Sequence, residues 1–197
     1  MGFEQYEGYV GKKEDFNGII FYLKEPNTEG EKVSEFWFQK IVLDQEGYYD
    51  ELAKKRCENI KRSKSIASKF KNRFNEILNQ LGMNEKQLCD TVYCNVHAEM
   101  GKNSVTGEYE QALEKADKKL YCIINEMEKE ELIVFTCIDI YNRLKEAWEI
   151  DKEYSTGLKY RKKDKSLPWF QCTIGNRSVK VYEILHPSRS PKLESEK

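Results

Sequence analysis

Apolar residues along this chain fall into two alternating patterns. Gly18-Ile19-Ile20-Phe21-Tyr22-Leu23, Leu132-Ile133-Val134-Phe135-Thr136-Cys137 and Val179-Lys180-Val181-Tyr182-Glu183-Ile184-Leu185 are short and rich in β-branched and aromatic residues. Such runs read as strands, as does Leu88 to Val96, which closes on Asn95-Val96-His97. Between them the apolar positions recur every three or four residues. Phe70, Phe74, Ile77, Leu78 and Leu81 predict a helix from about Tyr49, stopped by Gly82, and Leu113, Ala116, Leu120, Ile123, Ile124 and Met127 predict a second long one. Asp139 is placed to cap a third helix running to about Trp148, its charge suited to a helix N-terminus. Residues 33–42 read as a short helix or turn-rich segment, and 150–167 as an exposed loop. Trp169 to Ile174 and Ser178 to Leu185 predict a hairpin around Gly175-Asn176, adding one antiparallel edge strand. Strands alternating with helices predict an α/β protein whose parallel sheet is covered on both faces.

The length, 197 residues, suits one domain with a full core, and the residues after Pro191 read as a frayed polar tail, 191–197. Lys and Arg number 33 against 34 Asp and Glu, so any affinity for nucleic acid has to come from local clustering. Two clusters stand out. Lys54 to Arg73 holds nine basic residues and one acid, and within it Lys55, Arg62, Lys69 and Arg73 are spaced to line one helical face. Lys159 to Lys165 adds five basic residues against Asp164. This asymmetry in a nearly neutral chain suits a phosphate backbone, which makes DNA the expected partner.

No run approaches the roughly 18 apolar residues of a membrane span, and the N-terminus lacks the layout of a secretion signal. A cytoplasmic protein with no membrane partner is the expectation, and a monomer. The six cysteines (Cys57, Cys89, Cys94, Cys122, Cys137, Cys172) include no C-x-x-C pair, so reduced, packed thiols are expected, with no metal and no cofactor.

Polar residues that directly follow strands carry the candidate chemistry. Ligands of α/β sheets bind beyond the carboxyl ends of parallel strands. Glu25 follows the first strand, before Pro26, and His186 follows the last, before Pro187-Ser188. If those strands are parallel and near each other, a carboxylate and an imidazole face one crevice. Asn95 ends another strand, and its amide offers both a donor and an acceptor for reading a base edge. Three consecutive aromatics, Phe36-Trp37-Phe38, supply a ring to stack on a planar ligand, with core packing as the competing role. His97, the second histidine, has nothing else to mark it.

In this order these residues resemble the uracil-DNA glycosylase superfamily. That family has a water-positioning loop after its first strand, commonly Gly-Gln-Asp-Pro-Tyr or Gly-Glu-Ala-Pro-Gly, a stacking aromatic downstream, an Asn after a second strand, and a His-Pro-Ser loop after the last. Leu23-Lys24-Glu25-Pro26-Asn27 is similar to the first loop, Phe38 (with Phe36 competing) to the aromatic, Thr91 to Val96 to the base-reading strand, and His186-Pro187-Ser188 to the last loop. The resemblance spans residues 18 to 190. It implies a three-layer α/β/α domain, 1–190, with a central four-stranded parallel sheet. It implies a monofunctional DNA glycosylase in which Glu25 orients water, His186 donates to the base, Asn95 reads the base edge and Phe38 stacks on it. Ser188 would contact phosphate and Arg189 would occupy the wedge region. The chain departs from the family in Leu23, where it has Gly, and in Asn27, where strict uracil enzymes have a Tyr that excludes a C5 substituent. The smaller side chain implies a pocket open to C5-modified pyrimidines, and a role in defence against viral DNA beside repair. The alternatives are a non-catalytic nucleic-acid-binding module and a nucleoside hydrolase.

Overall fold

The computed structural model describes residues 15–24, 72–83, 90–96, 107–160, 166–185 and 193–195. Its strands are β1 (Ile19–Leu23), β2 (Val92–Asn95), β3 (Glu131–Thr136), β4 (Tyr154–Tyr160), β5 (Ser166–Ile174), β6 (Arg177–Glu183) and β7 (Leu193–Ser195). Helical residues 72–80 form α1. Gly107–Glu114, Ala116–Glu126 and Ile138–Ala147 form α2, α3 and α4.

All seven strands join one sheet in the order β2-β1-β3-β6-β5-β4-β7. The first four are mutually parallel, and β5, β4 and β7 continue the sheet in antiparallel fashion. Mixed α/β architecture is as the alternation predicted, and the parallel block comprises the four strands read from the sequence. The sheet as a whole is larger: seven strands rather than four.

Each difference has a local cause. Residues 150–167, expected as loop, contain β4, whose first half is polar and exposed and whose register shifts between Ser155 and Lys159. Thr156 bridges that break, its hydroxyl donating to the Leu167 carbonyl (3.1 Å) and accepting from the Leu158 N–H (3.2 Å). The tail expected to fray instead supplies β7, with Leu193, Glu194 and Ser195 paired to Tyr160, Lys159 and Leu158. The predicted second long helix is two, α2 and α3, separated at Lys115, where the backbone turns to φ −108°, ψ 8°. The hairpin around Gly175-Asn176 is present, with Gly175 at φ +62° in the left-handed region that glycine adopts at least cost.

Alternate residues of the parallel strands pack into two cores. Ile20, Tyr22, Val92, Cys94, Val134, Val179 and Val181 pack with Leu120, Ile123 and Ile124 of α3 and Ile140, Tyr141 and Leu144 of α4. Ile19, Phe21, Leu23, Tyr93, Phe135 and Tyr182 pack with Phe74, Ile77 and Leu78 of α1, together with Leu158, Tyr160 and Leu167. Period-two alternation thus sends both sets of side chains inward, which is why β1 is buried at every position.

One transverse row of the second core is aromatic from strand to strand. Tyr93, Phe21, Phe135, Tyr182, Trp169 and Tyr154 are successive register partners across β2, β1, β3, β6, β5 and β4. Phe74 of α1 closes the inner end, edge-on to Phe21 with ring centroids 4.0 Å apart.

Candidate active site at the carboxyl edge of the sheet

The chain passes from β1 outward to β2, then returns to β3 on the other side of β1. The topological switch point therefore lies between β1 and β3, and α/β sheets bind their ligands beyond the carboxyl ends at such a point. Thr136 pairs with Tyr22 on one side and Glu183 on the other. Glu25 and His186 each follow one of those partners by three positions in the sequence. The condition set from the sequence, that β1 and β6 be parallel and close, is met: both are parallel to β3 and flank it.

Two of the predicted site residues fall among the described ones. Asn95 ends β2, in register with Leu23, and only 4% of it is exposed. Its Oδ1 is buried without a hydrogen-bond partner, a costly state for an amide oxygen and one that a ligand donor would relieve. Lys119 of α3 holds the same strand end from the other direction. Its Nζ donates to the carbonyls of Asn95 (2.5 Å) and Val96 (3.3 Å), while the Val96 N–H donates to Leu23 O (2.8 Å). Arg73 lies on α1, where its guanidinium bonds Glu76 and its side chain is 17% exposed. That contact sits within the fold rather than on an open phosphate-binding face. Glu25, Asn27, Phe38, Lys55, Arg62, Lys69, His97, His186, Ser188 and Arg189 lie outside the described residues.

Several residues that the sequence did not single out shape this edge. Lys24 forms an ion pair with Asp139 in the first turn of α4, and its ammonium stands 5.4 Å from the centre of the buried Tyr109 ring. Asp139 thus serves as a partner for Lys24, and Cys137 occupies the N-cap position expected of it. Burial pushes the Cys137 thiol up to about 11, against the opposing pull of the Ile140 backbone N–H and of Lys24. Thr136 is fully buried, and its hydroxyl also lacks a partner. By strand alternation it faces the α3–α4 core, whereas Asn95 faces the α1 core, so the two orphan groups belong to opposite sides of the sheet. A lysine or aspartate on an amphipathic helix carries no sequence signal for such tertiary roles.

The edge thus offers a buried unpaired acceptor, a cation held by a carboxylate, and a helix N-terminus. A shallow charged concavity lined by Asn142, Lys145, Glu146, Glu149, Ile150 and Asp151 lies at the opposite end of α4 and has no part in this site. Among the described residues no group of His, Cys, Asp and Glu has the makings of a metal site, and no helix is long and apolar enough to cross a membrane. No protein family, curated protein or solved structure matches the chain.

Proposed function

We propose that this chain is a monofunctional DNA glycosylase of three-layer α/β/α architecture, acting on uracil or a C5-modified pyrimidine turned out of the helix. The observation that carries the reading is Asn95: a buried amide with an unpaired oxygen, at the carboxyl end of a strand beside the switch point. The register of Tyr22, Thr136 and Glu183 supports it, because Glu25 and His186 follow the outer two at equal sequence distance.

Flipping the nucleotide costs a few kcal/mol of stacking, offset by phosphate contacts and by stacking on Phe38. The bond between the sugar C1′ and the base nitrogen breaks, leaving positive charge on the sugar and negative charge on the base. Glu25 stabilises the sugar cation and orients the water whose oxygen bonds to C1′. His186 donates a hydrogen bond to the base oxygen, the kind of interaction that often contributes most to such a barrier. Asn95 reads the base edge. The proton released by water ends on the departing base, so the products are a free base and an abasic site. Lys55, Arg62, Lys69, Ser188 and Arg189 hold the phosphates.

Duplexes carrying uracil, 5-substituted uracils or 5-substituted cytosines, incubated with the protein and then cleaved with alkali, test this reading. Strand breaks at one of these bases are expected. Asn27→Tyr should suppress breaks at the 5-substituted bases while sparing uracil. Binding without breaks would make the chain a nucleic-acid-binding module, and release from free nucleosides alone would make it a nucleoside hydrolase.

A further inference from the structure

The aromatic row ends in the open. From Phe21 through Phe135, Tyr182 and Trp169 to Tyr154, successive ring centroids lie 5.0, 5.4, 5.6 and 4.6 Å apart, with interplanar angles of 22°, 33°, 19° and 25°. Three of the four pairs are stacked and Phe135–Tyr182 is tilted, at close to the spacing of the strands themselves. Burial is complete at Phe21 and Phe135 and gives way toward the edge, where Tyr154 is 40% exposed. One face of the Tyr154 ring rests on Trp169. Beyond it no described strand carries the row further, because β7 pairs with β4 only at Leu158 to Tyr160. The Nζ of Lys152 stands over the Tyr154 ring, 4.8 Å from its centre.

The charge along this stretch of the sequence is one-sided. From Lys152 to Leu185 the chain carries eight basic residues against three acidic, a net +5 within a protein of net −1. Of the three acids, Glu153 is already held by Lys145 and by the Tyr141 hydroxyl. Lys180 projects from the same side as Tyr182, two positions along β6, opposite Gln171. A stack of rings with an open end, flanked by displaceable ammonium groups, matches what unpaired bases on a phosphate backbone require. A base inside a duplex has both faces covered by its neighbours, whereas an unpaired base has a free face with which to extend this stack.

We propose that the antiparallel extension β4–β5–β6 is a docking surface for single-stranded nucleic acid, with a base stacked on Tyr154 and the backbone met by Lys152 and Lys180. The extension reaches the carboxyl edge, since Lys159 and Ser166 pair beyond the level at which Trp169 meets Tyr182. A strand lying on it therefore runs toward the edge at which β1, β3 and β6 end. The surface does not depend on base excision: DNA without any excisable base would occupy it.

The test is fluorescence anisotropy of the full chain with a labelled 12-nucleotide oligodeoxyadenylate, which holds no pyrimidine for the proposed active site, beside a blunt duplex of about the same length. Tyr154→Ala should weaken oligodeoxyadenylate binding about tenfold and leave any duplex binding unchanged. Tyr154→Trp, which keeps a ring, should restore it. Lys152→Ala with Lys180→Ala should lower the slope of log affinity against log salt by about 1.4, two phosphate contacts on a single strand. The proposal is overturned if wild-type protein does not bind oligodeoxyadenylate, if Tyr154→Ala binds it as well as wild type, or if the loss extends equally to the duplex.

Discussion

Cys94 and Cys137 lie in the core that α3 and α4 make with the parallel strands, and their burial has a measurable consequence. Loss of hydration pushes the Cys94 thiol up to about 12 and the Cys137 thiol up to about 11, from an ordinary value of 9.0. An unfolded chain gives up these protons near pH 9, whereas the folded protein keeps them. The stability they contribute is therefore fully present below pH 9 and is lost as pH rises from there toward 12. Urea midpoints should be flat from pH 7 to 8 and fall as pH passes 9, with Cys172 and the buried tyrosines, whose ordinary value is 10.0, adding to the fall. Replacing Cys94 and Cys137 by Ala should reduce the fall around pH 9, and an equal fall in the variant would contradict the assignment. The same scale explains what the sequence revealed of the site. Asn95 was legible because a polar residue closing an apolar strand is conspicuous. Lys119 was not, because its role depends on α3 passing beside the end of β2, a contact across 24 positions.

Elements were legible in proportion to how completely their burial imposes a pattern. β1 and β3 read clearly because both faces are covered, and the alternation in β6 matches its two cores. β4 escaped because its exposed half, Tyr154-Ser155-Thr156-Gly157, carries no alternation and its pairing is interrupted. β7 escaped because three residues are too few to show a period. The stop of α4 falls where the sequence placed it, at about Trp148, but the form of that stop was hidden. Glu149 adopts φ +52° there, with its N–H donating to Glu146 O (3.1 Å) and the Ile150 N–H to Lys145 O (2.9 Å). This is a Schellman ending with glutamate where glycine fits best. Glu149→Gly should stabilise the protein by roughly 0.5–1 kcal/mol in denaturant unfolding, since relief of the left-handed strain outweighs the added freedom of the unfolded chain. A loss of similar size would mean that the Glu149 side chain matters more than its backbone.

At the scale of the molecule, a nearly neutral chain carries its cations in separate groups along the sequence, and the two proposals assign those groups to different forms of DNA. Lys55, Arg62, Lys69 and Arg73 were read together as one phosphate-binding stripe. The Arg73–Glu76 contact separates the last of them from the rest. Replacing Lys55, Arg62 and Lys69 by Ala should weaken duplex binding uniformly across sequences and lower the salt slope by about 2.7, from three phosphate contacts. Arg73→Ala should alter stability more than salt dependence. An unchanged slope in the triple variant would return that helix face to solvent. The order β2-β1-β3-β6 and its switch point matter at this scale too, because they bring the ends of β1, β2 and β6 to one edge from distant parts of the chain. Single-turnover excision from a duplex bearing the preferred base tests this convergence most directly. Glu25→Ala and His186→Ala should each slow base release by at least about 10²-fold while anisotropy shows DNA binding retained. Base release at the wild-type rate in both variants would contradict the account.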